Sequence, residues 1–177
     1  MHPDLGLGGA ERLVVDAAVA LAQRGHEVQL WTSHFDASRC FAEARGGHFA
    51  VRVAGDWLPR ALCGRLHILC ALLRALWLVA VLALLGGAAD VYICDQVALY
   101  APLLRLLAPR GRVLFYCHFP DQLLSARGGS LKALYRAPFD ALEEWATGAA
   151  HAVLVNSGFT RGVYARTFAS LAGRRRK

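Results

Sequence analysis

His118 closes an apolar run, Val113-Leu114-Phe115-Tyr116-Cys117, and is followed by Phe119-Pro120-Asp121. An imidazole so placed can hydrogen-bond a sugar hydroxyl or shuttle a proton near neutral pH. A buried structural histidine is the other reading of the same position. Further polar pairs stand behind short apolar runs: Ser33/His34, Asp95/Gln96 and Asn156/Ser157. With His118/Asp121 they would gather beyond the carboxyl ends of parallel strands, where ligands of open α/β sheets bind. Polar residues also close strands and cap helices, and Asn156-Ser157 taken alone is read that way.

Gly6-Leu7-Gly8-Gly9 runs straight into residues with helical spacing. Backbone N–H groups at such a helix start can meet a phosphate, because the helix dipole is positive there and glycine permits close approach. The run is neither G-x-G-x-x-G nor a P-loop. His2, His26, His48, His67 and His151 have no comparable placement, and Glu143-Glu144 reads as a solvated helix face. No His/Cys/carboxylate cluster has metal-ligand spacing, so no metal is expected.

The positioning elements follow from apolar periodicity. Ala10, Leu13, Val14, Ala17 and Leu21 mark a helix that Gly25 should stop. Short apolar strands are expected at Val28–Thr32, Phe49–Val53, Val91–Cys94, Val113–Cys117 and Ala152–Val155, with residues 35–47 as a loop. Residues 97–108 and Ser130–Ala149 have helical spacing, the second to be interrupted or kinked at Pro138. Ser157 can cap a last helix whose first turn includes Thr160. Strands alternating with helices imply an α/β fold, a Rossmann-like doubly wound parallel sheet with covered faces.

The chain has 177 residues, 56% of them hydrophobic, enough for one domain with a sizeable core and too apolar for global disorder. Its formal charge is +7, but Arg174-Arg175-Arg176-Lys177 supplies four of the basic residues. Without them sixteen basic residues face thirteen acidic ones, so nucleic-acid binding would rest on the tail alone and is not expected. Cys40, Cys63, Cys70, Cys94 and Cys117 show no C-x-x-C pair, which suggests reduced thiols. The amino terminus does not read as a signal peptide.

Leu66–Leu85 carries only His67 and Arg74 as ionisable residues. Its twenty residues match a bilayer span. Arg74 at mid-span would cost about 2.5–3.5 kcal/mol on insertion scales. A helix lying in the membrane interface, with Trp57 and Trp77 as anchors, tolerates Arg74 better, and a buried core helix is the third reading. Membrane contact through 66–85 is favoured here over a pure core role.

HPDLGLGGAERLVVDAA, AGDWLPR, CDQ, RVLFYCHFPDQLL, LYRAPFDALEE and VLVNSGFT together resemble a known family. It is that of the α-1,3/1,6-mannosyltransferases of dolichol-linked oligosaccharide (N-glycan precursor) assembly, among the two-domain GT-B glycosyltransferases. The resemblance runs from His2 to about Leu171, so residues 1–171 would be the amino-terminal, acceptor-side domain and 172–177 a basic tail. It implies retaining transfer of mannose from GDP-mannose to Man-GlcNAc2-diphospho-dolichol, without cofactor or metal. The place implied is the cytosolic face of the endoplasmic reticulum membrane.

By motif, Gly8 and Gly9 would lie near the donor diphosphate and His118 beside the transferred sugar. Asp95, Asp121 and Asn156 fall in matching blocks as acceptor or sugar contacts. The strand that the family places ahead of its HPD-L-G block is expected to be missing, as is the carboxyl-terminal donor half. The chain alone is therefore expected to be inactive. The alternative is a non-catalytic, membrane-associated interaction fragment.

Overall fold

The structure, a computed structural model, describes residues 1–62, 66–124 and 130–172. Cys63 and the basic run Arg174–Lys177 lie outside the described residues. The chain divides into two compact units, Met1–Gly87 and Ala88–Lys177. Each holds a three-stranded sheet with flanking helices, in which every pairing is parallel and strand order follows the chain. The parallel, Rossmann-like α/β class expected from the sequence is the one observed.

The first unit opens on β1 (His2–Leu5), which pairs with β2 (Gln29–Phe35), and β2 pairs with β3 (Ala50–Val53). Apolar periodicity marks no strand in the HPDL block itself; the structure forms β1 there. Pro3 is tolerated because β1 is an edge strand. β1 also explains why β2 runs past Thr32: Asp4 and Leu5 stand opposite His34 and Phe35 and give their backbone groups a partner.

Helix α1 (Gly9–Gln23) joins β1 to β2 and buries Val15 and Ala18 against Leu5 and Leu30. Gly25 ends it with φ +85°, its N–H donating to the Ala22 carbonyl while the His26 N–H donates to Leu21. Those are the paired bonds of a glycine-terminated helix, and a Cβ would strain that backbone.

Helix α2 (His67–Leu85) packs on β1 and β2 through Cys70, Arg74, Ala75, Leu78, Val79 and Leu82. Full burial of side chains such as Leu78 contributes about 1.5–3 kcal/mol each. Arg74 does not face outward. Its guanidinium turns to Asp4 of β1, with Nη2 2.7 Å from Oδ1 and Nη1 3.3 Å from Oδ2. Leu69, Leu73, Leu76, Trp77 and Leu84 remain exposed on α2.

In the second unit β4 (Val91–Asp95), β5 (Arg112–Cys117) and β6 (Ala152–Val155) lie side by side. Helix α3 (Tyr100–Leu107) connects the first two and buries Tyr100, Ala101 and Leu104. The short α4 (Asp121–Leu124) and the long α5 (Ser130–Gly148) connect β5 to β6. α6 (Gly158–Thr167) and α7 (Ala169–Ala172) follow. The interruption expected at Pro138 does not occur, since α5 continues through it. Pro138 and Leu134, whose carbonyl loses its usual donor, are both exposed, so water can replace that bond.

Candidate functional site

β4 and β5 are adjacent and in register, with Asp95 opposite Tyr116. Their carboxyl ends therefore bring Asp95 and the residue following β5, His118, together. His118 Nε2 lies 3.1 Å from Asp95 Oδ2. The Asp95 side chain is 1% exposed and that of His118 26%, so a buried carboxylate holds a ring that still reaches solvent. A carboxylate facing Nε2 takes its N–H and leaves Nδ1 as the acceptor nitrogen of the neutral ring. Tyr116 packs edge-on to the imidazole at 4.8 Å between ring centres.

The turn after β4 is tight. The Val97 N–H donates to the Asp95 carbonyl at 2.6 Å across Gln96, whose φ is +59°. A non-glycine residue in that region costs free energy, and such positions cluster at functional sites.

Asp121 and Asn156 are not brought to this pair as partners. Asp121 is 62% exposed and lies 3.8 Å from Arg136. Asn156 accepts from the Thr160 hydroxyl at 2.6 Å, while Ser157 caps α6 by accepting the Thr160 N–H. The capping reading of Asn156-Ser157 accounts for both side chains.

Glu143 corrects the expectation of a solvated face. Its carboxylate accepts the N–H groups of Asp121 at 2.7 Å and Gln122 at 3.0 Å. Burial pushes its pKa up to about 7, although both backbone bonds pull the other way. Glu144 accepts from the backbone and hydroxyl of Ser170. Phe139, Glu143 and Ala146 share one helix stripe, and that spacing is the sequence signal that could have found Glu143.

In the first unit Gly8 caps α1 from an extended conformation, its carbonyl accepting the Arg12 N–H. A Cβ on Gly8 would collide with the carboxylate of Glu11, whereas one on Gly9 would meet no atom within 4 Å. Glu11 thus folds back over the helix start, and its carboxylate lies 3.8 Å from His2 Nε2. Of the pair Ser33/His34, Ser33 is buried inside β2 and His34 Nδ1 lies 2.6 Å from Asp56. Cys94 and Cys117 are buried thiols with pKa pushed up to about 12 by desolvation. Among the described residues no group of three His, Cys, Asp or Glu is placed to hold a metal ion.

The model of glycosyltransferase family 4 matches residues 7–172. The chain is similar to the α-1,3/1,6-mannosyltransferase ALG2 of Kluyveromyces lactis, with 55% identity over 97% of this chain and 35% of that protein. To the human protein of the same name it is 53% identical, over 97% of this chain and 42% of that protein. To that of Rhizomucor pusillus it is 51% identical, over 97% and 38%. The chain therefore spans between about a third and two-fifths of the length of these relatives.

Proposed function

The chain belongs to glycosyltransferase family 4, and from that premise we propose that it is the amino-terminal, acceptor-side half of a GT-B α-1,3/1,6-mannosyltransferase. The reaction is retaining transfer of mannose from GDP-mannose to Man-GlcNAc2-diphospho-dolichol, at the cytosolic face of the endoplasmic reticulum membrane. The names of its relatives support mannosyl transfer. The observation that carries the site is the Asp95–His118 pair at the carboxyl ends of β4 and β5.

In this reading the bond between mannose C1 and the β-phosphate oxygen breaks, its electron pair leaving with GDP. A new bond joins C1 to the acceptor hydroxyl oxygen, whose proton ends on the departing phosphate. His118 hydrogen-bonds a hydroxyl of the transferred sugar. Asp95 fixes the ring's tautomer and direction, so it is a positioning residue rather than a sugar contact. Gly8 and Gly9 would offer backbone N–H groups to the diphosphate, in an electrostatic role that needs neither cofactor nor metal.

Membrane contact through 66–85 is proposed in its interfacial form. Arg74 faces Asp4, and only a third of α2 is buried, which leaves Leu69, Leu73, Leu76 and Trp77 available to lipid. Trp57 stacks edge-on to Trp77 at 5.4 Å.

The test is kinetic. In a full-length relative, Ala at the position of His118 should lower turnover by about 10- to 100-fold, the loss of one hydrogen bond, without lowering thermal stability to match. Unchanged turnover in that variant and in the Asn variant at Asp95 would overturn the assignment.

A further inference from the structure

The loop that carries His118 is short, and both its ends are held. On one side Cys117 is the buried last residue of β5. On the other, Glu143 of α5 accepts the N–H groups of Asp121 and Gln122, the first two residues of α4. Between them stand only His118, Phe119 and the buried Pro120, whose carbonyl accepts the Leu123 N–H. The first N–H groups of a helix have no partner inside it, so a carboxylate is the natural group to satisfy two at once.

Resting on the reading of His118 as the active-site imidazole, we infer that Glu143 is a second positioning residue for it, clamping the 118–120 loop as a carboxylate and loosening it when protonated. A carboxylate offers two acceptor oxygens. A neutral carboxyl turns one of them into an O–H, a donor and a much weaker acceptor, and loses the charge that strengthened both bonds. The bonds to Asp121 and Gln122 are then weakened, and the loop end loosens.

The surroundings make this exchange accessible near neutrality. Burial and the like charges of Asp121 on α4 and Asp140 on α5 raise the Glu143 pKa to about 7. Arg136, within 4 Å of both aspartates, faces the same cluster. From β5 the facing group is the Cys117 thiol, itself kept neutral by burial.

The test is nuclear magnetic resonance on the 177-residue chain, through a pH range that brackets 7. The Asp121 and Gln122 amide resonances of the wild type should shift upfield as pH falls through about 7. The shift should be absent in Glu143→Gln and kept in His118→Ala, which removes the imidazole as its source. The Phe119 amide, beside position 118, should move with the same midpoint in His118→Ala and stay flat once Glu143→Gln is added to it. Amides that stay flat in the wild type, or that titrate equally in Glu143→Gln, would overturn the clamp. The wild type and His118→Ala decide the matter even should Glu143→Gln fail to fold. None of these signals depends on sugar transfer, so a clamp that titrates beside an inert His118 would sink only the proposed reaction.

Discussion

Arg74 of α2 holds Asp4 of β1 through two guanidinium nitrogens, at 2.7 and 3.3 Å. The two ends of the pair are unequally buried, for Arg74 is 8% exposed at its side chain and Asp4 36%. The removal of either partner should therefore have different costs. Asp4→Ala strands a buried charge and should destabilise by about 3 kcal/mol. Arg74→Leu leaves a carboxylate that water and Arg60, 3.5 Å away, still serve, and should cost less. Urea unfolding of both variants checks the order; equal losses would contradict it.

Vesicle flotation tests the outer face of α2. The chain should float with lipid vesicles, and Leu73→Glu with Trp77→Glu should abolish this, since both side chains are exposed and add little strain. A chain that stays at the bottom of the gradient with vesicles present would remove the interfacial reading.

Glu143 gives a stability signature of definite sign. Its pKa is raised from 4.5 to about 7 on folding, so the folded state binds more protons between those values. The stability it contributes is thus full below pH 4.5 and is lost as pH rises through about 7. Relative to wild type, Glu143→Gln should gain about 3 kcal/mol between acid and mildly alkaline conditions. Denaturant midpoints at the two extremes measure this, and a gain of opposite sign would exclude a buried, proton-binding carboxyl.

Thiol labelling should follow burial. Cys94 and Cys117, with pKa near 12, should escape alkylation in the folded chain, while the partly exposed Cys40 should react. Peptide mapping by mass spectrometry reads each site separately. Modification of Cys94 before Cys40 would mean that β4 opens readily.

The 177 residues alone should show little mannosyl transfer with GDP-mannose and a singly mannosylated, lipid-linked chitobiose acceptor, because the chain spans 35% of its Kluyveromyces lactis relative. A rate near that of an intact relative would refute this.

Strands β2 to β6 were legible because each contains a short apolar run bounded by turn residues, a local signal. β1 was not, since four residues containing Pro3 acquire strand character only from their pairing with β2. At the site, Asp95 and His118 stood out as polar residues closing neighbouring strands, and adjacency in the sheet joined them. Asp121 and Asn156 satisfied the same rule, yet one meets Arg136 and the other Thr160. Strand-end position alone does not separate a polar group that serves a ligand from one that serves its own turn. Glu143 was misread for a related reason: its burial depends on α4, which precedes α5 by several residues and folds back onto it.

The carboxylate of Glu11 gives the start of α1 a resident counter-charge. An anion arriving at Gly8 would have to evict it, and so would gain only the difference between two negative guests. Such a turn is electrically settled by its own side chain, and the missing Cβ of Gly8 is what leaves that side chain room.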